Sequence, residues 1–369
     1  MNTLKSAILA TSLVTGLTVT TAAAMAADEA LHLYTWAGIF DSKVLADFTA
    51  RTGFKVQEDN YDSDEMLETK LLAGAQGYDI AIPTAVPFLQ REIKVGAMQK
   101  YDPAQVPNMK NLDPDVKELL KVADPTLQYA AIAAWGTTGM GLNKAMIAKQ
   151  FGNTEAPLNS WDLFFKPEYA SKLSGCGFYM VDSATDVVPV VANYLGLNPQ
   201  KLDKKTVDTV MAELDKIRPY VYLDTGKYGP ELANGSICAA LGWSGDVIRA
   251  QMNANEANNG VQLSYVIPQE GSMAWLTAIA IPAGAKNPAA ANAFMNYLLE
   301  PEVAGYMSMQ TGFPTPVLGA RDYLPEAMAN DEALFPSKQT MAKLFSGSAQ
   351  TDRDSRYLNR KWAQFRSAQ

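Results

Sequence analysis

Leu31-His32-Leu33-Tyr34-Thr35-Trp36, followed along the chain by Phe54-Lys55-Val56-Gln57 and then by Tyr78-Asp79-Ile80-Ala81-Ile82-Pro83, decides the fold class. The first segment alternates and breaks at Ala37-Gly38, the pattern of a strand that ends at a sheet edge. Between the first and second strands, Val44, Leu45 and Phe48 keep a helical spacing that Gly53 stops. Between the second and third, Asp62-Ser63-Asp64-Glu65 opens a helix with acids that complement its dipole, and Met66, Leu67, Lys70 and Leu71 continue it to Gly74. Strand, helix, strand, helix, strand in that order implies an α/β fold, a mostly parallel sheet with helices on both faces. Ligands of such sheets sit beyond the carboxyl ends of the strands. Trp36 and the turn Pro83-Thr84-Ala85 both fall there.

Upstream of this unit, Lys5, the apolar stretch from Ile8 to about Val19 and the small-x-small site Ala24-Met25-Ala26 read as a secretory signal, so residues 1–26 are set aside from the fold. Removing Lys5 leaves 30 basic against 39 acidic side chains, a balance of −9. So acidic a chain is repelled by nucleic acid and by anionic lipid, and attracts cations. No later run reaches the roughly 18 apolar residues that span a bilayer, which predicts a soluble exported protein. The residues that remain, about 340, exceed what one core usually holds, and two lobes are expected. Cys176 and Cys238 lie in a chain whose compartment allows oxidation; a disulfide or two buried thiols are the open alternatives.

Downstream, Ala130-Ala131-Ile132-Ala133-Ala134 runs into Trp135-Gly136-Thr137-Thr138-Gly139, a place for the chain to leave one lobe and enter the other. Residues 203–218 form an amphipathic helix with Val207, Val210, Met211, Leu214 and Ile217 on one side. Ala278-Ile279-Ala280-Ile281-Pro282 reads as a strand, preceded by the exposed-looking Met273-Ala274-Trp275-Leu276-Thr277. The apolar run Ile237-Cys238-Ala239-Ala240-Leu241 ends in Gly242-Trp243-Ser244-Gly245-Asp246, a turn that sets an indole and a carboxylate three residues apart. A flat ring beside a fixed negative charge suits a cationic, partly apolar guest. The plainer alternative makes Trp243 core and Asp246 the N-cap of a following helix.

Catalytic constellations are scarce. The single histidine, His32, lies in an alternating strand, so histidine metal sites and Ser-His-Asp triads are not expected. Gly242-Trp243-Ser244-Gly245-Asp246 would need glycine at position 246 to be a nucleophile elbow. The acidic run from Asp59 to Glu65 places Tyr61 where a calcium loop needs a ligand, and reads instead as a helix start. With no cofactor or metal motif, and with Trp36, Trp243 and Trp275 all at predicted strand ends, a binder is expected rather than an enzyme.

Several longer motifs carry a resemblance: Tyr34-Thr35-Trp36, Leu67-Glu68-Thr69-Lys70-Leu71-Leu72-Ala73-Gly74, Gly77-Tyr78-Asp79-Ile80, Trp135-Gly136-Thr137-Thr138-Gly139, Ser160-Trp161-Asp162-Leu163, Leu232-Ala233-Asn234-Gly235 and Gly242-Trp243-Ser244-Gly245-Asp246. In these the chain resembles the periplasmic solute-binding proteins of polyamine ABC importers, the putrescine and spermidine group, over essentially its whole length after residue 26. The resemblance implies a two-lobed clamp with two crossovers and a hinge. The lobes expected are residues 27–134 with about 254–316, and residues 135–253 with about 317–369. It also implies that Cys176 pairs with Cys238, and that the chain is a monomeric periplasmic receptor handing an amine to membrane permease subunits. Trp36 and Trp243 match rings flanking the polyamine methylenes, Asp246 matches the carboxylate for an ammonium end, Thr84 lies in a turn that usually offers a hydroxyl, and Trp275 matches a cleft aromatic.

The departures concern charge. Ala37-Gly38-Ile39 stands where the family has Ser-Asp-Tyr; Ser183-Ala184-Thr185 precedes Asp186 where an acid is expected sooner; Thr277 replaces an aspartate; and Thr311-Gly312-Phe313-Pro314 shortens a tyrosine-bearing loop. A desolvated ammonium left unpaired costs several kcal/mol, so a dication asks for negative charge at both ends. Asp182, Asp224 and Asp186 are the candidates to supply it opposite Asp246. Alternatively the same clamp takes a less charged amine in preference to putrescine and spermidine, or serves a sensory receptor. A secreted hydrolase, dependent on an Asp/Glu pair, is the remaining reading.

Overall fold

The computed structural model describes residues 30–74 and 77–367, so the segment read as a secretory signal lies outside the described residues. β1 (Leu31–Trp36) pairs in parallel with β2 (Val56–Tyr61), from Leu31 opposite Val56 to Trp36 opposite Tyr61, and with β3 (Ile80–Ala81) on its other side. Helix α1 (Ser42–Thr52) starts where the Asp41 side chain accepts the Lys43 N–H and stops at Gly53, whose φ of 83° suits only glycine without strain. β2 begins two residues later than the sequence suggests and runs on through Asp59-Asn60-Tyr61. The acidic run is therefore half strand, and α2 (Asp64–Leu72) begins after Ser63, whose hydroxyl accepts the Met66 N–H.

The remaining strands are β4 (Met98–Gln99), β5 (Ala130–Asn143), β6 (Phe178–Val181), β7 (Tyr222–Asp224), β8 (Ala239–Trp243), β9 (Leu263–Val266), β10 (Met273–Pro282) and β11 (Phe345–Ser346). Their main order is β2-β1-β3-β10-β5-β8-β6-β7, with β4 and β11 on β10 and β9 on β5. β5 joins the two halves: Ala130 to Thr137 pair with β10, and Thr138 to Leu142 pair with β8. One correction concerns β10. Met273-Ala274-Trp275-Leu276-Thr277, read from sequence as exposed, belongs to the strand and is buried apart from a partial exposure of Trp275. Paired with β5 along this stretch and with β11 at Met273 and Ala274, and buried on both faces, it loses the alternation that marks a half-exposed strand.

Two large cores flank this junction. One gathers Leu33, Phe48, Ile80, Ala131, Ile279 and Phe294, and extends to Val317, Ala320 and Leu344. The other gathers Leu142, Trp161, Phe178, Val190, Leu241 and, from the C-terminal helix Asp352–Ser367, Leu358, Trp362 and Phe365. The helix Lys204–Ile217 buries Val207, Val210, Met211, Leu214 and Ile217, the face its periodicity specifies. Cys176 and Cys238 are disulfide-bonded, with Cα atoms 5.5 Å apart, tying the approach to β6 to that of β8. Among the described residues no helix is long and apolar enough to cross a membrane.

Gly271, between β9 and β10, has φ of 89°, and an added Cβ would collide with the Lys343 carbonyl. Its own carbonyl accepts the Trp161 indole N–H at 2.9 Å. Gly271→Ala should therefore cost about 2 kcal/mol or more, since the left-handed backbone alone costs a side-chain-bearing residue about 1 to 2 kcal/mol. A lowered urea midpoint at unchanged slope checks it, and an unchanged midpoint would refute it.

Candidate functional site

β6 and β8 run parallel, so their carboxyl ends open on the same edge. Trp243 is the last residue of β8, and the helix Ser244–Glu256 begins at once, which places Asp246 in its first turn rather than at its N-cap. A carboxylate there complements the partial positive charge of the helix terminus. Asp246 is half-buried, and its Oδ2 accepts the Tyr228 hydroxyl at 2.5 Å. Tyr228 in turn accepts the backbone N–H of Trp243 at 3.1 Å, so one phenol couples the ring-bearing and acid-bearing residues. Burial pushes the Asp246 carboxyl above its ordinary value, against the lowering effects of the Tyr228 hydrogen bond and the Arg249 charge. A cation arriving beside it would reverse that balance and restore the carboxylate.

Behind Trp243 lies Asp186. Its Oδ1 accepts the Trp243 indole N–H at 3.2 Å and the Thr138 hydroxyl at 3.1 Å, and its Oδ2 accepts the Ser183 hydroxyl at 2.5 Å. Burial raises its pKa while these three bonds lower it. The ring is thereby fixed from behind, its N–H no longer free for a guest. Trp275 lies over Gly136, where any Cβ would collide with the indole, and meets the Phe313 ring edge-on at 5.3 Å. Phe313 rests on Gly245, the second residue of the helix that carries Asp246. Aromatic rings from β8, β10 and the segment after the helix Pro301–Thr311 thus gather at one helix terminus.

On the same strand, two residues on and so on the same face as Trp275, Thr277 forms an antiparallel bridge with Thr84. Trp36, ending β1, rests on the Tyr61 ring at 4.7 Å, and the Tyr61 hydroxyl donates to the Ile82 carbonyl at 2.5 Å. The Thr84 N–H donates to Asp64 Oδ1 at 3.0 Å. β10 therefore carries both ends of the arrangement, Trp275 against the Asp246 helix and Thr277 against Thr84.

Two of the other acids singled out in the sequence are engaged elsewhere. Asp182 accepts the Trp362 indole N–H at 2.7 Å and pairs with Arg366 at 3.4 Å, both from the C-terminal helix. Asp224 caps the helix Tyr228–Ala233 by accepting the N–H groups of Lys227 at 2.5 Å and Tyr228 at 3.1 Å. Sequence reasoning missed Tyr228 and Asp64 altogether as parts of this arrangement. Tyr228 lies 18 residues from Asp246, with no pattern linking them. Asp186 stood out in the sequence as a candidate acid, but it holds the Trp243 ring from behind, and Phe313 stood out only within a shortened loop.

Two α/β cores joined through shared strands, with rings and an acid gathered where strands of both halves meet, define a two-lobed ligand-binding protein. The sequence pattern of the bacterial extracellular solute-binding proteins matches residues 43–336, and the chain belongs to that family. It is 40% identical over 346 residues to the putrescine-binding periplasmic protein SpuD of Pseudomonas aeruginosa, covering 93% of this chain and 94% of that one. It is 38% identical over 345 residues to the putrescine-binding periplasmic protein PotF of Escherichia coli, covering 93% and 92%. In solved structures it is similar to the spermidine/putrescine substrate-binding protein PotD of Streptococcus pneumoniae, with a TM-score of 0.79, 26% identity and coverage of 91% and 98%. The relatives' described roles are solute binding and transport.

Proposed function

We propose that this chain is the periplasmic solute-binding component of an ABC importer, closing two lobes on a polyamine of the putrescine and spermidine class and presenting it to membrane permease subunits. The lobes divide near residues 134, 253 and 316, with Val317, Ala320 and Leu344 still packed on the first core. Asp246 carries this reading: a half-buried carboxylate at a helix terminus, three residues from Trp243, is a seat for an ammonium group beside an aromatic wall. The relatives whose names specify putrescine and periplasm support it over 94% and 92% of their length. In the proposed site Trp36, Trp243, Trp275 and Phe313 cover the methylene chain, and Thr84 and Thr277 offer hydroxyls at the far end. Asp182 and Asp224, held by their own partners, act outside it.

A thermal-shift screen with putrescine, spermidine, cadaverine, agmatine and simple monoamines tests the reading. Ligand at 100 times its Kd stabilises the folded state by about 2.7 kcal/mol. A clear upward shift with at least one diamine or triamine is expected, and the absence of any shift across the amines would overturn it. Tyr228→Phe should weaken putrescine binding about tenfold. It removes one hydrogen bond to a charged acceptor, worth about 1.5 kcal/mol, without changing the shape of the pocket. Isothermal titration checks it, and an unchanged Kd would remove Tyr228 from the site.

A further inference from the structure

Asp246 accounts for one end of a diamine, and at the other Trp36, Thr84 and Thr277 bring a ring and hydroxyls but no charge of their own. Two buried acids lie in the helices that precede and follow Thr84 in the chain. Glu92, in α3 (Gln90–Lys94), has no exposed surface, and neither of its carboxylate oxygens has a hydrogen-bond partner among the described residues. Asp64 is 6% exposed and accepts the Thr84 N–H at 3.0 Å. The charged and titratable groups facing the pair are Glu65 and Glu68 from α2 itself, Arg91 beside Glu92, and Tyr61 from β2. The turn Ala85–Leu89 between them contributes none. Arg91 is already held by Glu68 through two bonds of 2.7 Å, so neither acid has a cation of its own.

A buried carboxyl without a counter-charge keeps its proton, because ionisation in a desolvated site is costly. Burial pushes Glu92 up to about 8, the Asp64 and Glu68 charges adding to it against Arg91, and pushes Asp64 up to about 6 against its Thr84 hydrogen bonds. We propose that Asp64 and Glu92 act together as the first-lobe counter-charge of the site: a carboxyl pair that holds one proton between them, on Glu92, and sheds it when an ammonium group settles beside Thr84. This rests on the amine-binding reading above. In the step the O–H bond of one carboxyl breaks, the proton passes to solvent buffer, and the ammonium keeps all its protons. Asp64 is a positioning residue here, acting through Thr84. The consequence is that binding releases protons and tightens as pH rises, approaching about tenfold per pH unit where a whole proton is released. The same device supplies a second negative charge at the far end of a diamine while keeping Glu92 neutral in the empty cleft.

Titration calorimetry with putrescine tests this, run at pH 6, 7 and 8 in buffers of different ionisation enthalpy so that proton release is read directly. Wild-type protein, Asp64→Asn and Glu92→Gln are compared, both replacements keeping side-chain shape while removing the proton. Release of a sizeable fraction of a proton at pH 7 is expected, falling by half or more in both variants while Asp246 is unchanged. The gain in affinity from pH 6 to pH 8 should shrink at least threefold with it. Equal proton release in all three proteins would overturn the proposal while leaving the amine reading intact. Infrared spectra of ligand-free protein at pH 7 give an independent readout: a protonated carboxyl band lost in Glu92→Gln supports the pair, and its absence from the wild type overturns it. No amine binding by the wild type at any pH would overturn both.

Discussion

Asp246→Ala is expected to weaken putrescine binding by about 2 to 5 kcal/mol, roughly thirtyfold to several-thousandfold, while the fold persists. The size comes from what is left behind. With the carboxylate gone, an ammonium enclosed by Trp243 and Trp275 keeps neither its water nor a counter-ion, and the cost of that unpaired charge exceeds the attraction of the ring faces. The fold loses a dipole interaction worth about 0.3 to 1 kcal/mol, and the buried Tyr228 hydroxyl left without its acceptor costs about 1 to 3 kcal/mol more. Asp246→Asn separates charge from shape, since the amide keeps the volume and still accepts the Tyr228 hydroxyl. A loss in the asparagine variant close to that in alanine would assign the effect to charge. Calorimetric titration decides it, and an unchanged Kd in both variants would remove Asp246 from the site.

Much of this arrangement is local in sequence, and that part was legible. The strand-helix alternation from Leu31 to Pro83, the apolar face of the helix Lys204–Ile217 and the strand ending at Trp243 each follow from periodicity or from a glycine stop within a dozen residues. What could not be read depends on partners brought together by the fold. Met273 to Thr277 looked exposed because burial beside β5 and β11 erases the alternation on which strand reading depends. Asp182 looked like a ligand acid because its partners, Trp362 and Arg366, lie 180 or more residues away. Nothing in Gln90-Arg91-Glu92-Ile93-Lys94 announces that its third residue is buried. Polar residues that defy their usual location are where sequence reasoning fails first, and they are often where function resides.

Glu92→Gln is expected to stabilise the ligand-free protein by about 3 kcal/mol at pH 8 and hardly at all at pH 4.5. The sign follows from linkage. In the folded state burial holds the Glu92 carboxyl up to about 8, whereas the unfolded chain returns it to its ordinary 4.5. Below the lower value both states are protonated, and the side chain's contribution to stability is fully present. Between the two values the unfolded state sheds a proton that the folded state retains, so wild-type stability falls as pH rises through this window and levels off above about 8. The full separation corresponds to a ceiling of about 5 kcal/mol, reduced to about 3 where the folded site relaxes to hydrate the anion. Glutamine has no proton to lose and escapes the decline, although its amide must still find partners in a pocket that offered the carboxyl none. Urea midpoints of both proteins at pH 4.5, 6 and 8 would show the two curves separating with rising pH. Curves that stay parallel would mean that Glu92 titrates near its ordinary value and that its burial is compensated by a group other than its own proton.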